Sequence, residues 1–180
     1  AEAVNTYKML CIKTWARFAG ALRILGNKTN RLLADRYQRY ASEKAGQVKP
    51  ADLLHFNIHA LSEAVDGNEI KMTDLSPAAA LLFTDRNNRL SYSPFNQYFI
   101  IQAMARAGYY PEALQTIRDY WGGQIHYGGT SFFEVYRPSW NQILQTNDAP
   151  PNNQCGYTSL CHPWGAGVTQ WLSAEILGIK

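Results

Sequence analysis

The hydrophobic positions of this chain recur mostly at intervals of three and four residues, which is the period of an α-helix. The first stripe runs from Tyr7 to Leu25, and the Gly26-Asn27 pair that follows is typical of a helix end. The pattern predicts seven helices, at approximately residues 7–25, 28–46, 51–65, 76–82, 93–107, 111–121 and 165–176. Short connections between successive helices indicate an all-α fold of stacked antiparallel hairpins, with no visible domain boundary.

Residues 122–163 have a different character. They are rich in Gly, Pro, Asn and aromatic residues and show no sustained period, and the Gly122-Gly123 pair is expected to end the sixth helix. Long ordered loops on a rigid scaffold often carry function. We therefore interpret this stretch as a long irregular active-site loop region.

Candidate chemistry lies in and just after this region. Glu134 follows a glycine-rich, aromatic stretch, and His162 and Trp164 follow about thirty residues later. A constrained carboxylate, a ring nitrogen and an aromatic face suit a sugar, which needs hydrogen-bond partners for its hydroxyls and a platform for its C–H face. Trp121 is either a second platform or part of the core, and Asp119 beside it is expected to be solvated.

The composition narrows the range of partners. Aromatic residues make up 13% of the 180 residues, which is usual at carbohydrate sites but on composition alone is better explained by a helical core. The net charge is only +3 and no Lys/Arg run occurs, so a nucleic-acid partner is not expected. No apolar stretch approaches the roughly 20 residues of a membrane span, and residues 1–4 do not resemble the start of a signal peptide.

Neither a metal nor a cofactor is predicted. His55 and His59 are four residues apart and are expected to share a helix face, but no further ligand motif accompanies them. The three cysteines, Cys11, Cys155 and Cys161, are too few and odd in number for a disulfide framework. Cys155 and Cys161 can form a bridge only in an oxidising compartment.

Four stretches of the chain together resemble the bacterial α-L-rhamnosidases. One of them, Gly128–Glu134, is similar to that family's G-A-T-T-x-W-E segment. Another, Ser159–Gly167, is similar to its S-L-C-H-G-W-S-A-G segment. The other two stretches together resemble one helical hairpin of the family. They are Ser93–Phe95 with Met104–Gly108, and Glu112–Leu114 with Ile117–Gly123. Leu177-Gly178-Ile179 also resembles the end of the family's catalytic domain.

The resemblance implies a fold and a reaction. The family's catalytic domain is a six-hairpin (α/α)6 toroid, of which residues 1–180 resemble the C-terminal portion. The family hydrolyses terminal α-L-rhamnose from glycosides by an inverting mechanism. Its general base aligns with Glu134, and its sugar-contacting histidine aligns with His162. Its general acid lies upstream of anything in this chain, so the implied partners are a rhamnose-containing glycoside and the remainder of the same catalytic domain.

The chain departs from the family pattern at three places. Phe133 stands where the family has Trp, Gly129 where it has Ala, and Pro163-Trp164-Gly165 where it has Gly-Trp-Ser. Two alternatives therefore stay open beside the hydrolase. One is a rhamnosidase-like remnant that binds carbohydrate without cleaving it. The other is a different (α/α)-toroid glycosidase or a polysaccharide lyase, for which His126-Tyr127 is the only adjacent His/Tyr pair.

The sequence leaves several properties undetermined. The aglycone, the linkage, the oligomeric state and the compartment, whether periplasmic, secreted or cytoplasmic, are not indicated. A helical interaction solenoid is disfavoured because no fixed repeat is present.

Overall fold

The chain is all-α. The computed structural model describes residues 2–141 and 158–179, and that part of the chain contains eight α-helices and no strand. The helices are α1 Glu2–Leu25, α2 Lys28–Gly46, α3 Pro50–Leu53, α4 Ile58–Gly67, α5 Met72–Thr84, α6 Pro94–Arg106, α7 Tyr110–His126 and α8 Gly167–Trp171. Short 3-10 turns at Pro138–Asn141 and Pro163–Ala166 and a π-helical turn at Leu172–Ile176 complete the described elements.

These elements form two compact units, Ala1–Leu82 and Phe83–Lys180. The sequence shows no composition change at residue 82 that would mark a boundary. The assignment of residues 1–180 to the C-terminal portion of one catalytic domain stays a prediction.

In the first unit, α1 and α2 form the antiparallel hairpin that the sequence predicts. Gly26 adopts a positive φ of 75° after α1, and the Asn27 side chain accepts a hydrogen bond from the Asn30 amide to cap α2. The helices pack through small buried residues and through aromatic pairs such as Phe18 with Tyr37, whose ring centroids are 4.9 Å apart.

Ion pairs fasten α1 to α4. Lys13 is only 6% exposed, and its ammonium lies between the carboxylates of Glu63 and Asp66. Arg17 reaches the same Asp66 oxygen at 2.5 Å. A buried ammonium is tolerated only when it is paired, so this network ties the register of α1 to that of α4.

The single helix predicted for residues 51–65 is wrong, because the chain breaks between α3 and α4. Asn57 leaves the helical conformation and its side chain accepts a hydrogen bond from the Ala60 amide at 2.8 Å, which starts a new helix. Phe56, in the break, is buried. His55 therefore lies in the connection, and it does not share a helix face with His59.

In the second unit, α6 and α7 form a hairpin around Gly108, which has a φ of 86°. The short α8 packs on α6, where Trp171 is fully buried and its indole N–H donates to the Ile101 carbonyl at 3.1 Å. The predicted helix at 165–176 is thus three short pieces: part of a 3-10 turn, α8 and the π-helical turn.

The expected end of α7 at Gly122-Gly123 is also wrong, since the helix continues to His126. Gly123 does not end the helix. It allows Tyr136 to pack closely on the helix, since a Cβ at this position would overlap the Tyr136 hydroxyl. The Asn141 amide reaches both the Gly123 carbonyl and that hydroxyl. The missing side chain lets the loop after α7 pack directly against the helix backbone.

Candidate functional site

The chain turns sharply where α7 ends. Gly128 has a φ of 100°, and the Gly129 amide donates to the Gln124 carbonyl at 2.8 Å. A Cβ at Gly129 would approach that carbonyl oxygen to 2.8 Å and the Phe133 ring to 2.9 Å. Glycine is therefore required at residue 129, where the rhamnosidase pattern has Ala.

After this turn the side chains alternate between core and surface. Phe133 and Val135 are buried, whereas Glu134 between them is partly exposed. The Phe133 amide donates to the Gln124 side chain at 3.0 Å, and its ring packs edge-on against Tyr127. The buried neighbours hold the Glu134 carboxylate at the surface of the unit.

Two segments that are distant in the sequence lie side by side here. The Glu134 amide donates to the Ser159 carbonyl at 2.8 Å, and the His162 amide donates to the Phe132 carbonyl at 2.7 Å. These two backbone hydrogen bonds join the glutamate segment to the histidine segment. The backbone segments that contain Glu134 and His162 are thereby held next to each other.

The Glu134 carboxylate is itself positioned. The carboxylate oxygen Oε2 accepts a hydrogen bond from the Ser159 amide at 2.8 Å. The backbone carbonyl of Glu134 accepts one from the Trp164 indole at 3.2 Å. Within the described part of the chain, no group donates to Oε1. One carboxylate oxygen is thus fixed by the backbone of Ser159.

His162 and Trp164 form a compact aromatic pair, which the Trp164 indole joins to the backbone of Glu134. Their ring centroids are 4.0 Å apart and their planes are nearly perpendicular, at 86°. Trp164 is 41% exposed although it donates to Glu134 and contacts Phe95 at 5.6 Å between centroids. An exposed indole held in one orientation is a suitable platform for the apolar face of a sugar.

Trp121 occupies a different position. It is only 6% exposed, and its indole N–H donates to the Gly165 carbonyl at 2.9 Å. A Cβ on Gly165 would press on Phe132 at 2.8 Å, so the two segments meet closely at this point. The buried Trp121 side chain therefore holds the loop that carries Trp164 in place.

A cleft of about 240 Å³ opens beside the pair of segments. Trp121, Gln124 and Ile125 of α7 line one side, and residues 129–132 line the other. Gln124 and Ile125 were not predicted from the sequence as site residues. Their spacing on α7 shows helical periodicity but gives no sign that a loop folds back over them.

The expectation that Asp119 is solvated is wrong. Its carboxylate is buried, and it binds the Arg86 guanidinium through both oxygens, at 2.5 and 3.0 Å. Burial also raises the pKa of Tyr120 and of Tyr136 well above the usual value for a phenol. The core behind the site therefore contains a tightly paired carboxylate and neutral phenols.

The other predicted features lie as follows. Tyr127 of the His126-Tyr127 pair packs between Phe133 and Trp140 as part of the aromatic core. Cys155 lies outside the described residues. Among residues 2–141 and 158–179, no three His, Cys, Asp or Glu side chains are grouped as metal ligands, and no helix is long and apolar enough to cross a membrane.

Comparison with known proteins gives no relative. No protein-family model matches the chain, and neither the curated proteins nor the solved structures contain a match to it.

Proposed function

We propose that this chain carries the general-base half of an inverting α-L-rhamnosidase site. The observation that carries the proposal is the convergence of Glu134, His162 and Trp164 on two hydrogen-bonded segments. The motif order of the bacterial family adds to it. In the toroid that this resemblance implies, the two segments would form the rim of the sugar site.

The roles follow from the chemistry of inversion. Glu134 takes a proton from water through Oε1 while the Ser159 amide holds Oε2, so the carboxylate keeps its orientation. The activated water attacks the anomeric carbon on the face opposite the leaving oxygen. A second carboxylic acid roughly 6.5–9.5 Å away protonates that oxygen. In this proposal the acid comes from a part of the catalytic domain outside this chain.

The remaining residues bind the sugar. Trp164 stacks on its C–H face, and His162 donates or accepts a hydrogen bond with a hydroxyl group. Trp121 acts mainly by fixing Gly165, because its indole N–H is already used there. Gly129 and Gly165, which differ from the family pattern, leave room for the rings of Phe133 and Phe132.

The exposed face of α1 supports the second proposed partner, the remainder of the catalytic domain. Positions spaced alternately by three and four residues stay exposed along the whole helix: Val4, Tyr7, Cys11, Thr14, Phe18, Ala21 and Leu25. Leu10 and Ile24 extend this face and are exposed as well. A toroid hairpin packs on a neighbour on each side, and such a face is what it buries there.

A second candidate function is sugar binding without hydrolysis. Two further carboxylates of the second unit are already engaged, Asp119 by Arg86 and Glu175 by the Tyr110 hydroxyl at 3.2 Å. A site with a base and no acid holds a sugar but leaves the glycosidic oxygen unprotonated.

Direct binding measurements test the shared part of both candidates. Ligand-observed NMR on the 180-residue chain should detect L-rhamnose more strongly than L-fucose, which has the same atoms in a different configuration. Trp164→Ala should weaken rhamnose binding about tenfold or more, since stacking is lost. Trp15→Ala, which alters an indole in the first unit, is the matched control. Equal binding of both sugars, or binding unaffected by Trp164→Ala, would reject the proposed sugar site.

A further inference from the structure

The indole of Trp164 is followed by a second exposed aromatic ring, that of Phe95 in the first turn of α6. The two ring centroids are 5.6 Å apart, and the ring planes are tilted by only 32° against each other. Phe95 is 43% exposed, almost the same fraction as Trp164. The separation of the two rings is about the length of one pyranose unit. Together they form an aromatic surface longer than a single sugar covers.

The Phe95 ring is held in place by other rings. Phe99, one turn further along α6, packs edge-on against it with a centroid distance of 5.1 Å and an angle of 81°. Phe99 in turn contacts the ring of Tyr98 at 5.3 Å. A Cβ on Gly167 would approach the Tyr98 ring to 2.7 Å, so the start of α8 lies directly on that ring. These successive contacts restrict the rotation of Phe95, and a ring held in one orientation loses little entropy when a ligand stacks on it.

Two glutamine amides follow these rings and are joined through the Tyr98 hydroxyl. This hydroxyl donates a hydrogen bond to Gln170 Oε1 and accepts one from Gln102 Nε2, both at 2.7 Å. Gln170 is exposed and Gln102 is partly exposed. Within the described part of the chain, neither Gln170 Nε2 nor Gln102 Oε1 has a hydrogen-bond partner. An oriented donor and an oriented acceptor thus remain at the surface, one on each side of the phenol.

This combination of groups differs from a helix face made for packing. Phe95, Phe99 and Gln102 follow each other on one side of α6 at spacings of four and three residues. The exposed ring is therefore followed by polar amides on the same side of the helix, whereas a face that packs on another helix stays apolar along its length. None of these groups is charged. Aromatic rings with a few oriented, neutral hydrogen-bonding groups suit a neutral carbohydrate.

We propose that the Trp164 platform extends along α6 into a second subsite, which binds the aglycone of a rhamnoside when that aglycone is itself a neutral sugar. This α6 subsite consists of Phe95, Gln102 and Gln170. The second sugar stacks on the phenyl ring, and its hydroxyls accept from the Gln170 amide and donate to the Gln102 amide. The inference rests on the proposed function, because it takes the rhamnose unit to lie on Trp164. It narrows the substrate class to rhamnosyl disaccharides and longer oligosaccharides.

Paired ligands test the α6 subsite on the 180-residue chain. Methyl α-L-rhamnoside covers only the Trp164 platform, whereas α-L-rhamnosyl-D-glucose disaccharides, taken as a set that differs in linkage, reach both subsites. In ligand-observed NMR titrations, the best disaccharide should bind roughly 3–10-fold more tightly than the methyl glycoside, because one more ring is stacked. If no disaccharide binds more tightly, the α6 subsite is wrong and the rhamnose site stands. If no ligand binds at all, the proposed function fails and the subsite fails with it.

A phenylalanine variant locates the second sugar. Phe95→Ala should remove most of the advantage of the disaccharide and leave the affinity for methyl α-L-rhamnoside within about twofold of wild type. Phe18→Ala changes a phenylalanine of similar exposure, 47%, in the first unit and should alter neither affinity. Both variants should keep the wild-type circular dichroism because both rings lie at the surface. An equal loss of both ligands in Phe95→Ala would place Phe95 in the rhamnose site and overturn a separate subsite.

A glutamine variant tests the amides. Gln170→Ala should weaken disaccharide binding roughly 2–10-fold through the loss of a hydrogen bond, and it should leave methyl α-L-rhamnoside binding unchanged. Thr169→Ala, at the neighbouring exposed position of α8, is the matched control and should bind both ligands as wild type does. If Gln170→Ala and Thr169→Ala bind the disaccharide equally well, the amides take no part and the subsite is wrong as described.

Discussion

Glu134 illustrates how local packing prepares a side chain for chemistry. Buried residues on either side of it force its carboxylate outward, and the Ser159 amide then fixes one of its oxygens. An ordinary surface glutamate has many rotamers, and holding it in one reduces the entropy to be lost when a water and a sugar are bound.

The first prediction concerns Glu134 in a polypeptide that also contains the general acid. Glu134→Gln should lower turnover of rhamnosides by about 10²–10⁴-fold, since the amide cannot accept a proton from water. Rhamnose binding should survive because the size and the Ser159 contact are kept. The measurements are steady-state kinetics and sugar binding, with Glu112→Gln, in the first turn of α7, as the control. Wild-type turnover in Glu134→Gln would contradict the base role.

A pair of adjacent glycines gives a second prediction at this scale. Gly123→Ala should lower the free energy of unfolding by about 1–3 kcal/mol, because its Cβ overlaps the Tyr136 hydroxyl. Gly122→Ala meets only the Ile117 carbonyl at 3.9 Å, so it should be neutral or stabilising by up to about 1 kcal/mol through helix propensity. Urea unfolding of both variants gives the comparison, and equal changes would disprove the packing role of Gly123.

At the scale of elements, α4 contains a histidine whose charge is disfavoured by its position. Burial lowers the pKa of His59 below its usual value, and the nearby Glu63 carboxylate opposes the shift. In the range between the two pKa values, the unfolded chain binds a proton that the folded chain does not. The stability contributed by neutral His59 is therefore fully present above the unfolded pKa of about 6.5, and is lost as the pH falls through and below it.

A comparison of histidine variants tests this linkage. When the pH is lowered from 7.5 to 5.5, the melting temperature of His59→Gln should fall less than that of wild type. His55→Gln changes the exposed histidine of the α3–α4 connection, and it should keep the wild-type pH dependence. A His59→Gln curve parallel to that of wild type would exclude His59 as the source.

The outer face of α1 is the second feature at this scale. The helix is buried against α2 and α4 on one side and keeps an apolar stripe of heptad spacing on the other. Such a stripe is the seam by which helices pair. Because this face of α1 is exposed, it can associate with another apolar helix, including that of a second copy of the chain.

The 180-residue chain should therefore self-associate in solution. Light scattering after gel filtration should give a mass above that of the monomer at micromolar concentration, and the double variant Tyr7→Glu, Ile24→Glu should shift it toward the monomer. Ile179→Glu, an exposed apolar position outside α1, is the control. A monomeric wild-type chain would show that the α1 face needs no partner.

At the scale of the whole molecule, the proposed site is incomplete. In the proposed function, the general base and the sugar platform lie in one compact unit, whereas the general acid comes from outside these 180 residues. Without protonation, the alkoxide of a natural aglycone is a poor leaving group, so the positioned base alone gives little turnover.

The last prediction is that these 180 residues alone do not hydrolyse α-L-rhamnosides. Incubation with a natural rhamnosyl disaccharide and with a nitrophenyl rhamnoside should release no rhamnose above the rate of the Glu134→Gln variant. The positive control is a bacterial α-L-rhamnosidase assayed on the same two substrates. Release of rhamnose from the disaccharide by the chain alone would show that the general acid is present within it.

The helical period by itself determined the all-α class, the end of α1 and both bounds of α2, because a long apolar stripe with clear caps leaves few alternatives. It also placed Glu134 and His162 in irregular segments after α7. Three features were decided only by tertiary structure. The break before Asn57 accompanies the burial of Phe56, the continuation of α7 through Gly122-Gly123 accompanies the close packing of Tyr136 on Gly123, and the burial of Asp119 depends on its pairing with Arg86.

The resemblance predicts that Glu134 and His162 share one site, but the hydrogen bonding between their two segments could not be predicted from the sequence. The hydrogen bonds between residues 132–134 and 159–162 join backbone atoms. Because almost every residue has the same backbone donor and acceptor, no residue type predicts these bonds. The same holds for the cleft, whose walls come from one face of α7 and from a loop that folds back on it. Local sequence specifies which groups are available, whereas long-range packing decides which of them meet.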